Sequence, residues 1–453
     1  MASIAASDEF AVAAPAPADR AAPAGQRIEA LDFVRGVALC GILLMNITGF
    51  GLPDAYLNPT NAGGATGSDL WAWIITQMGF EGTQRALFSM LFGSSVILLT
   101  SRLEASGRSD AADIYFRRNL WLIAFGFVNA FVLLWYGDIL YAYGVIALFV
   151  FAFRNMAAKW LLAIGTAALL LSAAWNVYES DQLLGKHEAY AAAKAAESSG
   201  ATLTDAQTSA IAAWEQARGE TKASPEGIQQ SVRNHTSGYA HAFMQFRSLN
   251  VYFQTWFLYR FFFDIFGMML IGMGLYRLGV LTLQQPAGIY LAMLVAGYGI
   301  GLTVNYLETR WILEHRFSAL SFAQSNISYD LGRLAMTIGH LGALLLIVRW
   351  DIMPWLRRAF AAVGQMAVTN YLMHSVICGI LFIGFRQFNQ LARHELYYVV
   401  LAIWLFQLAV SPIWLRYFRF GPVEWLWRYL TYLKRPPFRR EQGLATPAAV
   451  LAT

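Results

Sequence analysis

The chain has 453 residues, of which 57% are hydrophobic, 15% aromatic and only 13% charged. Soluble domains carry about 25% charged residues, so this composition excludes an ordinary soluble enzyme and describes an integral membrane protein. The formal net charge of +5 fits basic cytoplasmic loops better than nucleic-acid binding, because no basic patch is interleaved with a recognition motif.

Residues 1–26 are rich in Ala and Pro and lack helical periodicity. They read as a disordered tail without the apolar core of a signal peptide. Ten later segments are long and apolar enough to span a bilayer at about 20 residues each. They lie near 31–51, 84–103, 119–136, 138–154, 157–177, 253–276, 286–306, 329–349, 362–385 and 396–416. The third and fourth are separated by little more than Tyr136-Gly137-Asp138, which predicts a tight helical hairpin. Residues 71–80, WAWIITQMGF, are too short to cross and are expected in the interface or as a re-entrant piece. Between a first membrane half, 27–177, and a second, 253–435, lies an outer loop over 178–252. It contains KHEAYAAAKAAESS and TDAQTSAIAAWEQARG, both Ala-rich with helical spacing, and Ser224-Pro225 breaks the pattern. Two or three short helices are expected there, and a second disordered tail at 436–453. The fold class is therefore all-α, a polytopic membrane bundle of about ten transmembrane helices. Arg102, Arg108, Arg117, Arg118, Arg154, Arg277, Arg349, Arg357, Arg358 and the basic C-terminal stretch share one side if the N-terminus is inside. That places both termini in the cytoplasm, although Arg386 and Arg393 run against the trend.

Polar residues inside apolar helices are costly and mark candidate sites. The first segment reads RIEALDFVRGVALCGILLMNITGFG and carries Asp32, Arg35 and Asn46 on one stripe, within roughly 60° of one another. Asp32 and Arg35 serve equally well as headgroup anchors. In LYRFFFDIFGMMLIGMGLY, Arg260 and Asp264 are spaced i,i+4 and are expected to pair. In YDLGRLAMTIGHLGALLLIV, Asp330, Arg333, Thr337 and His340 share a face. In VGQMAVTNYLMHSVICGILF, Asn370 and His374 stand one turn apart near mid-depth. A neutral imidazole there suits a general base or, more often, a structural hydrogen bond. His187, His235 and His241 read as exposed surface histidines. Glu424 and Arg428 are spaced to pair on a surface-lying amphipathic helix. Gly126 with Ala130 and Gly297 with Gly301 have the small-xxx-small spacing of close helix packing. Cys40 and Cys378 lie in apolar runs without metal-ligand spacing, so neither a disulfide nor a metal site is expected. The phosphate-cradling GxxxxGK[ST], the HExxH and the GxSxG motifs are missing.

Five stretches together resemble the YeiB-like family, bacterial inner-membrane proteins grouped under a domain of unknown function. They are RIEALDFVRGVALCGILLMNITGFGLP, ALFSMLFG at 86–93, MMLIGMGLYRLGVL at 268–281, GQMAVTNYLMHS at 364–375 and GPVEWLWRYLTY at 421–432. The LDxxRGxA opening is also similar, more distantly, to that of transmembrane acyltransferases such as heparan-alpha-glucosaminide N-acetyltransferase. That resemblance implies a cytoplasmic acyl-CoA co-substrate, no permanently bound cofactor, and an acceptor reached through the membrane domain. Many bacterial members of that superfamily carry a His eleven residues after the Arg of this opening, where this chain has Asn46. The lysosomal enzyme also resembles this chain in having Asn there, with its essential His in the following outer loop. Here the 51–83 stretch has no His, and Asp54, Asn58, Asp69 and Glu81 are its polar candidates. The YeiB-like family more often has Gln where this chain has His374.

The expected function is a multi-pass acyltransferase of the bacterial inner membrane acting on an envelope glycan, lipid or small molecule. Arg35 would hold acyl-CoA phosphates, Asp32 would hold Arg35, and Asn46 would orient a carbonyl or the acceptor. His374 or His340 would be the base, and Arg260, Asp264, Arg333 and Asn370 would contact substrate. A transporter or channel lined by the charged stripes is the alternative, and a non-catalytic scaffold is the third reading. Membrane lipids are the expected partners, with no nucleic acid; the sequence does not give an oligomeric state.

Overall fold

A computed structural model describes residues 24–62 and 64–440, with side chains from 29 onward. Of the tail expected over 1–26, only 24–26 fall within the described residues, and they are already helical. Of the tail expected over 436–453, residues 441–453 lie outside. Residues 436–440 return to the bundle, where Phe418 and Arg439 form an antiparallel bridge and Arg440 N donates to Tyr417 O at 2.9 Å.

The helices in chain order are α1 (Ala24–Gly51), α2 (Gly67–Gly79), α3 (Thr83–Ala105), α4 (Ala111–Phe131), α5 (Leu140–Val150) and α6 (Ala158–Ser198). The outer loop holds α7 (Asp205–Thr221), α8 (Pro225–Thr236) and α9 (Tyr239–Tyr252). The second half holds α10 (Leu258–Arg260), α11 (Phe262–Arg277), α12 (Ala287–Glu314), α13 (Ala319–Ser325), α14 (Tyr329–Arg349), α15 (Pro354–Gln365), α16 (Ala367–Gly379), α17 (Arg393–Tyr417) and α18 (Pro422–Tyr432).

Seven segments are long and apolar enough to cross a membrane, and the bent pair Tyr239–Arg260 and Phe262–Arg277 makes an eighth. The protein is thus a multi-pass helical membrane protein. The two remaining segments of the expected ten form a hairpin of α4 and α5. Leu140–Phe153 rises only about 21 Å at 1.5 Å per residue, against a hydrocarbon core of about 30 Å. The first half of α4 carries Asp113, Arg117 and Arg118. Asp138 shapes the connection by accepting from Asn129 Nδ2 at 2.7 Å and from Tyr141 N at 2.8 Å. The stretch expected in the interface or as a re-entrant piece lies in α2, which instead runs on into α3, and the two form one span over Gly67–Ala105. The break between them is Gly82, with φ +67°.

Close backbone contacts set the crossings. Gly36 of α1 and Gly364 of α15 face one another; a Cβ on either would collide with a backbone carbonyl of the other helix, Phe360 or Asp32. Gly297 and Gly301 likewise admit Gly339 and Met336 of α14, giving the packing role their spacing predicted. The main core cluster joins α1, α3, α5, α11 and α16 through Leu39, Val96, Tyr143, Met269 and Tyr371.

α6 runs for 41 residues in all, about 62 Å at 1.5 Å per residue, so its C-terminal part continues beyond a hydrocarbon core of about 30 Å. The turn into α7 carries a full capping box, Thr204 with Gln207, and Ser224 caps α8 ahead of Pro225. This outer cap is pinned to the loop after α1: Asn58 Nδ2 donates to Thr221 O at 3.2 Å and Lys222 Nζ to Thr60 O at 2.9 Å. His235, expected on the surface, is 4% exposed. Its ring lies flat on Phe388, with centroids 3.7 Å apart. It became a packing residue because the cap folds down onto the loop before α17.

Candidate functional site

The stripe on α1 divides between two ends of the bundle. At the N-terminal end, Arg35 Nη1 donates to Asp32 Oδ1 at 2.7 Å and reaches Gly364 O at 3.5 Å. The pair is wedged at the glycine crossing with α15. Beside it opens a cleft of about 430 Å³ lined by Glu29, Asp32, Arg358, Gln365, Arg416 and Arg440, among others. Arg35 does not line it. Glu29 is held by Arg357, whose Nε donates to Glu29 Oε1 at 2.9 Å. Among the described residues, Arg358, Arg416 and Arg440 pair with no carboxylate, and all three are exposed. Asn46, higher on the same helix, is half-buried and joins neither polar cluster.

Toward the other end, α3, α11 and α14 bring four ions together. Arg333 is 1% exposed and grips Asp264 with both Nη atoms, one of them at 2.9 Å. It also donates to Asp330 Oδ1 at 2.6 Å. Arg85 Nη2 sits 3.2 Å from Asp264 Oδ2, retains 20% side-chain exposure and lies 5.0 Å from the Phe261 ring centre. Glu81 accepts from Tyr329 and Tyr56 hydroxyls at 3.3 and 3.5 Å. Gly82 permits the arrangement, since a Cβ there would collide with the Tyr329 hydroxyl and Arg333 Cδ. Buried ions persist only when paired and hydrogen-bonded, which is the state of Asp264, Asp330 and Arg333.

Two expected pairings are therefore corrected. Arg260 and Asp264 do not pair, because the chain bends by 61° between α10 and α11, at Phe261. Arg260 turns outward to Glu179 of α6, its Nε 3.0 Å from both carboxylate oxygens, and to Asn176. Glu424 and Arg428 do not pair either. Glu424 caps the start of α16, accepting from Val368 N at 2.7 Å and Thr369 N at 3.0 Å, while Arg428 lies 4.4 Å from the Phe420 ring centre.

The two intramembrane histidines stand apart from both clusters. His374 is 2% exposed and its Nε2 lies 3.1 Å from Gln407 Oε1. Gln407 Nε2 donates to Asn370 O, and Asn370 Nδ2 donates to Ser411 Oγ at 3.1 Å. This chain of amides ties α16 to α17, as a structural hydrogen bond would. His340 shares its helix face with Arg333 and Thr337 but sits between the rings of Phe80 and Tyr298 at 5.9 and 5.4 Å. Its face points to aromatic neighbours rather than to the ions one turn and more away. Of the expected site residues, the structure unites Asp264 with Arg333 and Asp32 with Arg35. It does not unite Asn46, His340 or His374 with them, and Arg260 reaches the ions only through Asn176, whose Nδ2 donates to Asp330 Oδ2 at 3.2 Å.

Sequence reasoning named Glu81 only as a loop residue and passed over Arg85 as a site. The i,i+4 spacing of Glu81 and Arg85 at the mouth of an apolar segment was the available signal. Arg358, Arg416 and Arg440 were read for topology alone; no local pattern joins residues so far apart in the chain.

The profile of the family described as "Protein of unknown function (DUF418)" matches residues 275–434. The chain is 33% identical over 418 residues to the uncharacterized protein YeiB of Escherichia coli (strain K12), covering 90% of this chain and 96% of that one. It is 27% identical over 425 residues to the uncharacterized protein YxaH of Bacillus subtilis (strain 168), covering 92% and 97%. No solved structure matches it. Coverage of both relatives from end to end, with the match to the family profile in the second half, establishes that the chain belongs to the YeiB-like DUF418 family.

Proposed function

We propose that the protein is an acyltransferase of the bacterial inner membrane whose acyl-CoA donor docks by its phosphates in the cleft at the N-terminal end of α1. The observation that carries the reading is the charge balance of that cleft. Both of its carboxylates, Glu29 and Asp32, are occupied by Arg357 and Arg35, while Arg358, Arg416 and Arg440 are left over. Arginine forks match phosphate oxygens bidentately, and about 430 Å³ falls within the usual range for a small-molecule site. By the positive-inside rule this end faces the cytoplasm, where CoA thioesters are available. The bacterial relatives support the inner membrane as its location.

The reading moves the donor contacts from Arg35 to Arg358, Arg416 and Arg440. Arg35 becomes a positioning residue that keeps Asp32 neutralised. It places no weight on His374 or His340, since neither lines the cleft. A transporter would need a polar route from this cleft to the Glu81–Arg85 opening. The buried side chains of Leu43, Leu87 and Leu91 on α1 and α3 supply no part of one.

Titration of purified protein with acetyl-CoA tests the proposal. The wild type is expected to bind with steep salt dependence. Arg358→Ala and Arg416→Ala are each expected to weaken binding about tenfold, the worth of one charge-assisted phosphate contact. Absence of wild-type binding, or binding indifferent to both arginines, overturns it.

A further inference from the structure

The ion cluster at the other end of the bundle contains more than its own stability requires. Arg333, Asp264 and Asp330 satisfy one another and are almost fully buried. Glu81 and Arg85 are different. They stand one helical turn apart at the start of α3, yet they form no direct ion pair. Arg85 makes a single long contact to an aspartate that Arg333 already holds with both Nη atoms. No other polar partner engages its guanidinium among the described residues, and part of it stays open. Glu81 has only two long hydrogen bonds, from Tyr56 and Tyr329, and is itself half-buried rather than enclosed. Beside them, Arg333 Nε is buried without a hydrogen-bond partner.

A carboxylate and a guanidinium that both stay partly exposed without pairing with each other make a dipolar receptor. A ligand carrying both charges can answer both groups at once. Its ammonium would lie against Glu81 between the Tyr56 and Tyr329 hydroxyls, and its carboxylate on the Arg85 fork.

We infer that Glu81, Arg85, Tyr56 and Tyr329 form a binding site for a small amino-carboxylate zwitterion, at the end of the bundle opposite the arginine-lined cleft. The site is separate from the donor cleft, so its test does not depend on acyl-CoA binding. Gly82 is part of it, because only a residue without Cβ lets Tyr329 and Arg333 close on the turn that holds Glu81.

The experiment uses the full chain in detergent micelles and reads ligand-dependent thermal stabilisation and calorimetric binding. The probes are the individual α-amino acids, with acetate and methylamine as single-charge controls. At least one amino acid is expected to bind, and both controls to fail. Glu81→Gln keeps the hydrogen-bonding shape and is expected to weaken binding about tenfold by removing one charge-assisted contact. Tyr329→Phe removes only a hydroxyl, so the chain is expected to fold as before and to bind severalfold more weakly. No response to any amino acid, equal response to acetate or methylamine, or unchanged affinity in Tyr329→Phe overturns the inference.

Discussion

Arg333 and Arg358 show two ways for a membrane protein to hold arginine. Arg333, deep among α3, α11 and α14, spends both Nη atoms on Asp264 and Asp330. Arg358, at the α1 end, opens into a cleft whose acids are already paired elsewhere. The first arginine is structural because removing it strands charge in a medium that cannot solvate it. The second is available to a ligand because water solvates it meanwhile. Burial alone does not find a site here; spare pairing capacity does.

The comparison is broken most directly at Arg333. Arg333→Ala leaves Asp264 and Asp330 buried without their main counter-charge and is expected to cost about 3–5 kcal/mol, read as a large fall in melting temperature or loss of folded protein. Arg358→Ala is expected to leave the melting temperature unchanged while weakening acyl-CoA binding. Equal destabilisation by the two substitutions would remove the distinction.

The outer cap provides a milder contrast. Burial against Phe388 and Phe246 lowers the pKa of His235 to about 4. The unfolded imidazole, near pH 6.5, takes up a proton before the folded one does. The cap's stability is therefore full above pH 6.5 and falls as the pH drops from there toward 4, by at most about 3 kcal/mol. Hydrogen exchange of α8 against pH measures this, and His235→Phe is expected to flatten the profile. At the glycine crossing, Gly364→Ala forces α1 and α15 apart and is expected to cost about 1–3 kcal/mol. It should also loosen the Asp32–Arg35 pair and so disturb the cleft, which ligand titration would detect. Smallest is Glu424→Ala, which uncaps α16 for about 1 kcal/mol with neither cluster touched.

Much of the site was half-legible in sequence. The i,i+3 spacing of Asp32 and Arg35 gave a true pair because one unbroken helix carries both. The i,i+4 spacing of Arg260 and Asp264 failed because the helix breaks at Phe261 and turns the two side chains to different neighbours. His374 was singled out from its own segment, but its partner Gln407 lies on another helix. Arg85 was missed because its meaning depends on Asp264, far along the chain.

The sequence by itself determined the helical membrane character and the family, since apolar composition and short motifs are local properties of the chain. It also set which residues share a helix face. Only the tertiary structure decided which charges neutralise one another and which are left over. In a medium without water, an ion's role is set by the helix packed against it. That choice rests on crossings such as Gly36 on Gly364 and on breaks such as the one at Phe261, which no periodicity within a single segment encodes.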